Sequence, residues 1–206
     1  MSCYFKFSLA VIGLFIAAKI HGQSNFLDDL KHHRDSINEH FLNPETTILD
    51  SLSLTDFEEV AFFEPQLEYR VQASFEKIKN DKLVKMPTST DRIAEYREYG
   101  CLKFSLNGVK CKLIVYQSQR HLNHPVYSKL LFCPFTDLST GNESYGTGRY
   151  LDISIEDIEN NEVVIDFNYC YAPYCAYSYK YSCPVPPTQN SLKTKVLAGA
   201  TGIFEH

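Results

Sequence analysis

The spacing of apolar residues divides the chain into a helical beginning and a β-rich remainder. Between residues 25 and 42, one helical stripe carries Phe26, Leu30, Ile37 and Phe41. Pro44 ends that segment, and Thr55 with Glu58 has the capping-box spacing that predicts a second short helix over 55–63. From about residue 67 onward, apolar residues alternate with polar ones, which is typical of short strands.

A β-hairpin over residues 99–116 is the clearest local prediction. Asn107-Gly108 favours a type I′ turn, because both central positions of that turn need a positive φ. The turn sets a register in which the facing pairs are Leu106 with Val109, Phe104 with Cys111, and Leu102 with Leu113. This apolar face should join the core. Cys101 lies on the opposite face from Cys111 and should not bond to it.

Three further strands are predicted at 127–135, 148–155 and 162–168, and a short helix at 190–197. Because the sequence contains no repeat and no linker, we expect a single β-rich domain over 24–206 with a helical N-terminal segment over 25–63. The expected fold class is mainly β (α+β). It is a curved antiparallel sheet, sandwich or small open barrel with N-terminal helices and a short C-terminal helix.

Residues 1–23 have the organisation of a signal peptide. Lys6 precedes an apolar run over 7–18 that is too short to span a bilayer, and a polar stretch follows it. A retained membrane anchor is the alternative, and no later stretch is apolar enough to span a membrane. Removing 1–23 takes away Lys6 and Lys19, so the net charge changes from −5 to −5 − 2 = −7. We therefore expect an exported chain, periplasmic or secreted, that does not bind nucleic acid.

Six cysteines follow the signal segment: Cys101, Cys111, Cys133, Cys170, Cys175 and Cys183. Export permits disulfides, and the short separation of Cys175 and Cys183 favours a bridge that closes a loop. No pair has the C-x₂-C spacing of a zinc site, so no metal ligands are assigned. No histidine lies between residues 125 and 205, so a thiol enzyme would have to recruit His121 or His124 through the fold.

Acidic residues lie on two alternating segments in the C-terminal half. If 150–155 and 163–168 pair as a hairpin with their apolar faces together, Tyr150, Asp152, Asp166 and Asn168 share the other face. Directly opposed carboxylates repel, so Asp152 and Asp166 could act as an acid/base pair or hold a divalent cation. The alternative is a solvated face, or carboxylates that bind backbone N–H groups in turns. No resident cofactor is predicted apart from such a cation.

Arg149 falls on the apolar side of its strand, where a guanidinium is costly unless it is paired. It would either grip an anionic group of a ligand or form an internal ion pair with Asp137 or Glu143. Eight of the 14 tyrosines lie between residues 145 and 181, which suits sugar-like or amphipathic ligands, or else strand packing. The candidate ligand-binding residues are Asp137, Tyr145, Arg149, Tyr150, Asn168 and Tyr171.

The C-terminal half contains an ordered set of residues: Phe132, Pro134-Phe135, Asp137, Gly141, Tyr145-Gly146, Gly148-Arg149-Tyr150-Leu151-Asp152, Asp166-Phe167-Asn168, Cys175-Ala176-Tyr177, Cys183-Pro184, Pro186-Pro187, Asn190, Leu192 and Ala198-Gly199. This set carries a resemblance, from about residue 57 onward, to the domain-of-unknown-function 1684 family. It implies no established activity, only that the shared polar residues form a common site or a common structural core. Ala200 departs from the family pattern, which has an acid there, so a site that needed that acid would be altered in this chain.

The leading hypothesis is an exported, non-catalytic protein that binds a small polar or amphipathic ligand in a cleft lined by these Arg, Asp, Asn and Tyr side chains. One alternative is a hydrolase that uses Asp152 and Asp166, with or without a divalent cation. Another is an envelope-associated structural module without a small ligand. The pattern leaves the ligand, the disulfide map and the oligomeric state open.

Overall fold

A computed structural model describes residues 25–79 and 83–202, so the predicted signal peptide over 1–23 lies outside the described residues. Helix α1 covers 25–42, as predicted, and helix α2 covers Ser51–Asp56. Asp50 caps α2 by accepting a hydrogen bond from the backbone N–H of Ser53 at 2.9 Å. The second helix therefore begins earlier than the predicted 55–63, and that prediction is wrong. No helix in this described part is long and apolar enough to cross a membrane.

Seven strands form one antiparallel sheet that curls into a half-barrel. The strands are β1 (Arg70–Lys77), β2 (Leu83–Pro87), β3 (Ile93–Leu106), β4 (Val109–Ser118), β5 (Leu130–Phe135), β6 (Arg149–Ser154) and β7 (Glu162–Asp166). Their order is β6-β5-β4-β3-β1-β7, and β2 pairs with the first part of β3. The predicted curved, mainly β architecture is confirmed.

The β3–β4 hairpin has the predicted register. Leu106 pairs with Val109, Phe104 with Cys111, and Leu102 with Leu113. Asn107 and Gly108 have φ values of 50° and 76°, the positive values that the tight turn requires. Cys101 pairs with Ile114 and packs on the face opposite Cys111, so these two thiols are separated by the sheet as expected.

Strands β6 and β7 do not pair, contrary to the predicted hairpin across residues 156–162. Asp152 on β6 lies opposite Phe132 on β5, and Asp166 on β7 lies opposite Arg70 on β1. Because β6 and β7 end the strand order on opposite sides, the two carboxylates are not cross-strand neighbours.

The main core lies on one face of the curled sheet. Its buried residues come from β1, β3–β7 and the segment after β7, and they include Leu102, Leu113, Leu131, Leu151 and Ile165. A second cluster on the other face of the sheet is built around Met86, Ile114 and Tyr116. A third cluster joins α1 and α2 to the segment 172–177 through Phe41, Leu54 and Tyr177.

Asn190 ends a 3-10 turn over Thr188–Asn190, and residues 191–197 contain no helix, so the predicted C-terminal helix over 190–197 is wrong. Buried Leu192, Thr194 and Val196 alternate with exposed Ser191, Lys193 and Lys195, which is the period of a strand. The backbone of this segment bonds to the loop after β5: Leu192 N–H donates to Thr136 O at 2.8 Å, and Leu138 N–H donates to Thr194 O at 3.2 Å. These bonds replace those that a helix would have made.

Candidate functional site

A cleft of about 960 Å³ opens on the side of β5 and β6 that faces away from the main core. Phe132 and Asp152 project there, because strand alternation turns them away from buried Leu131 and Leu151. The other walls come from helix α1, the loop 119–129 and the segments 169–177 and 183–184. The cleft therefore lies between the N-terminal helix, the sheet and the C-terminal loops.

Four aromatic rings form a continuous row along the sheet side of this cleft. Tyr96 stacks on Phe132 with ring centroids 5.2 Å apart, and Phe132 meets Tyr150 edge-on at 4.7 Å. Tyr150 then meets Tyr171 edge-on at 5.7 Å. Backbone pairing fixes one end of this row, since Tyr150 forms an antiparallel bridge with Tyr171. We call Tyr96, Phe132, Tyr150 and Tyr171 the aromatic row.

Asp152 lies beside the aromatic row and lines the cleft. Its Oδ2 accepts a hydrogen bond from the Tyr171 hydroxyl at 2.9 Å, whereas its Oδ1 has no hydrogen bond within the described residues. The side chain is open to the cleft, yet protein atoms close in on most sides. That loss of water raises the pKa of Asp152, and the bond from Tyr171 opposes the shift. The same burial, together with Asp152, raises the pKa of Tyr171 well above its ordinary value.

Three histidines also line the cleft. His33 and His40 project from α1, and His121 comes from the loop 119–129. Burial and the neighbouring Arg34 lower the pKa of His33, and burial with Arg120 lowers that of His121, so both rings are neutral at pH 7. Of the residues the structure describes along the cleft wall, Asp152 is the one acid, and none is Lys or Arg.

Arg149 lies on the other face of β6 and outside the cleft. Its side chain is fully buried and donates to the backbone carbonyls of Val196 (2.6 Å), Ala198 (2.7 Å) and Ala200 (3.2 Å). It also forms an ion pair with buried Asp137 at 3.4 Å. Of the two alternatives for Arg149, the geometry matches the internal ion pair, and the partner is Asp137.

Asp137 itself is enclosed by donors from its own loop and from the C-terminal segment. Its Oδ2 accepts from the backbone N–H of Val196 at 2.6 Å and from that of Ser139 at 3.2 Å. Its Oδ1 accepts from the Thr140 hydroxyl at 3.1 Å. Asp137 and Arg149 therefore hold residues 196–200 against the sheet, and the structure does not place them with Asp152.

Asp166 and Asn168 also form an internal network. Asn168 is buried, and its side chain accepts from Gln66 N–H at 3.0 Å and donates to Gln66 O at 2.8 Å and to Asp166 Oδ1 at 2.8 Å. Asp166 Oδ1 also accepts from the backbone N–H of Asn168 at 3.0 Å. Asp166 borders a separate, smaller cleft of about 460 Å³ together with Arg70. The predicted Asp152/Asp166 pair is thus divided between two clefts.

Tyr145 lies near the two cysteines that were predicted to form a disulfide. Its hydroxyl donates to Cys175 O at 3.4 Å, and burial raises its pKa to about 12. Cys175 and Cys183 are both free thiols in the structure, so the predicted disulfide is not found. Cys183 Sγ instead accepts the backbone N–H of Cys175 at 3.3 Å. A hydrogen bond between the two thiols lowers the pKa of Cys175 and raises that of Cys183.

Several residues that line the cleft were not among the ligand-binding or catalytic candidates of the sequence analysis. They are His33, His40, Tyr96, His121, Tyr127 and Phe132. Phe132 could have been found from the alternation of residues 127–135 once β5 was paired with β6, but α1 reaches the cleft only through tertiary packing. Within 25–79 and 83–202, no group of three or more His, Cys, Asp or Glu side chains is arranged to hold a metal ion.

Comparison with known proteins places the chain in a family. The model of the family described as "Protein of unknown function (DUF1684)" matches residues 55–201. The chain belongs to the DUF1684 family. Its fold is similar to the solution NMR structure of an uncharacterised protein from Haloarcula marismortui, gene locus rrnAC0354, with a TM-score of 0.68 and 31% sequence identity. That match covers 90% of this chain and 99% of the other. No curated protein matches the chain.

The DUF1684 residues separate into two groups in this structure. Tyr150 and Asp152 line the large cleft, whereas Asp137, Arg149 and Asn168 hold loops together from the inside. Ala200 is buried and lines the cleft, and its N–H donates to Cys170 O at 2.8 Å.

Proposed function

We propose that the chain binds a small amphipathic molecule in the large cleft. The observation that carries this proposal is a cavity of about 960 Å³ lined by a row of aromatic rings with one open carboxylate beside it. Ligand pockets typically enclose about 300–1,000 Å³ and combine apolar walls with few polar groups. Among the ligand-binding and catalytic candidates of the sequence, Tyr150, Asp152 and Tyr171 line this cleft. Arg149, Asp137 and Asn168 do not line it.

A paired-carboxylate hydrolase is less well supported. Its two acids line different clefts, and in the large cleft Asp152 is bonded to Tyr171 rather than to a second carboxylate. A structural module without a ligand predicts polar side chains that are satisfied internally and no cavity. Arg149 and Asn168 agree with the first expectation, but the cleft argues against the second. Export remains part of the proposal and rests on the apolar run over 7–18.

Equilibrium titration with the uncharged dye Nile red tests the proposal. We expect saturable fluorescence enhancement at one site. Tyr127 lines the cleft and is 49% exposed, so Tyr127→Ala should weaken binding about 5-fold, the scale of losing one contact of about 1 kcal/mol. Tyr179 is 86% exposed and does not line the cleft, so Tyr179→Ala is the matched control. Non-saturable binding, or equal effects of both variants, would count against the proposal.

A further inference from the structure

We propose that the molecule bound in the large cleft is an amphipathic amine, with its protonated nitrogen at Asp152 and its apolar body against the aromatic row. This inference rests on the proposed function and specifies the chemical class of the ligand. It is carried by three features: the charge of the lining, the open oxygen of Asp152 and the arrangement of the rings.

The charge of the lining favours a cation. Asp152 is the one Asp, Glu, Lys or Arg among the described lining residues, and burial lowers the pKa of His33 and of His121. An anionic ligand would meet this carboxylate without a Lys or Arg in the described wall to offset it. A neutral, polyhydroxylated ligand would need many hydrogen-bonding partners, whereas most of the wall is aromatic or aliphatic.

The hydrogen bonding of Asp152 is incomplete. A carboxylate offers about four acceptor positions, and Tyr171 fills one of them on Oδ2. Oδ1 is left without a partner from the described residues, and the Asp152 side chain is exposed on the cleft wall. An ammonium group supplies three donors and a full opposite charge, so it would satisfy Oδ1 and pair with the carboxylate.

The aromatic row lies on the same wall of the cleft as Asp152. Tyr96, Phe132, Tyr150 and Tyr171 follow one another at centroid distances of 5.2, 4.7 and 5.7 Å on the face of the sheet that carries Asp152. A cation within about 6 Å of such centroids is attracted by the ring quadrupoles. The same row offers apolar area for the rest of the ligand, so one surface accommodates both the nitrogen and its hydrophobic body.

Three naphthalene probes of nearly equal size separate charge from hydrophobicity: 2-(1-naphthyl)ethylammonium, 2-(1-naphthyl)ethanol and 3-(1-naphthyl)propanoate. Their fluorescence anisotropy gives a Kd for each at pH 7. We expect the amine to bind about 10-fold more tightly than the alcohol, and the acid to bind most weakly. Asp152→Asn, which keeps the side-chain shape, should remove this preference by weakening the amine about 10-fold and leaving the alcohol unchanged.

Glu95→Gln is the matched control for lost charge, since Glu95 is exposed on β3 next to Tyr96 and does not line the cleft. Tyr171→Phe keeps the carboxylate and should retain the preference for the amine. If the three probes bind equally well, or if Asp152→Asn leaves the amine affinity unchanged, the amine inference is wrong while the proposed function stands. If none of the probes and no Nile red binds, the proposed function fails and the inference fails with it.

Discussion

The buried ion pair between Arg149 and Asp137 should be a major source of stability, and Asp137→Asn tests this directly. Both side chains are fully buried, so removing the charge of one leaves the other uncompensated in a poorly solvating environment. Breaking a buried pair in this way typically costs about 3–5 kcal/mol. Three backbone carbonyls still accept hydrogen bonds from the Arg149 guanidinium, and the asparagine side-chain oxygen can still accept one from Val196 N–H. We therefore expect the lower end, about 3 kcal/mol.

Urea denaturation followed by circular dichroism measures this loss, and a thermal scan should show a decrease in Tm of roughly 6–12 °C. Glu143→Gln is the control, because Glu143 pairs with Lys195 at the surface, next to the same C-terminal segment. Exposed pairs contribute little, so this variant should be close to the unmodified chain. Equal stabilities for the two variants would refute the reasoning. Below its unfolding transition, Asp137→Asn should still bind Nile red, since neither partner of the pair lines the cleft.

Three further changes probe other parts of the fold. Asn190→Ala leaves a buried N–H and carbonyl of β4 and a carbonyl of β5 without their partner, and should lower the free energy of unfolding in urea by about 3 kcal/mol. Gly199→Ala should lower the free energy of unfolding by at least about 2 kcal/mol in the same assay, because a Cβ there would lie 2.4 Å from the sulfur of Cys170. Gly108 has a similar φ with open space around it, so Gly108→Ala should lower that free energy by about 1 kcal/mol. Alkylation by iodoacetamide, followed by mass spectrometry, should modify Cys175 at a lower pH than Cys101, since the pKa of the first thiol is lowered and that of the second is raised by burial.

Local patterns predicted local structure well. Asn107-Gly108 and the flanking alternation were enough for the β3–β4 hairpin, because turn type and register are set by neighbouring residues. The partner of β6 was not local. Alternation shows which face Asp152 occupies, but it does not show which strand lies beside it, and adjacency in sequence suggested β7 where the fold uses β5.

The C-terminal segment shows the opposite case, since the signal was present in the sequence. Leu192, Thr194 and Val196 alternate with Ser191, Lys193 and Lys195, a period of two that fits an extended strand better than a helix. Thr194 is a polar residue at a buried position, so the alternation of apolar and polar residues is interrupted there in the sequence. Its burial depends on the loop after β5, which the sequence alone does not place. The cleft walls that α1 and the loop 119–129 supply could not be predicted from the sequence for the same reason, because these segments meet the sheet only in the folded chain.

Strand β6 carries a residue that stabilises the fold on one face and residues that line the cleft on the other. Arg149 and Asp152 are three positions apart, so they project from opposite faces of the same strand. Arg149 secures residues 196–200 on the core side, while Asp152 faces the cleft beside Tyr150. Ala200 contacts both regions, because its carbonyl accepts a hydrogen bond from Arg149 and the residue also lines the cleft. Substitutions on the core side should therefore lower the free energy of unfolding first, and should weaken the binding of probes only when the cleft wall loosens. Asp152→Asn should instead change amine affinity without lowering the free energy of unfolding. A variant series in which both quantities always decrease together would show that β6 does not divide these roles.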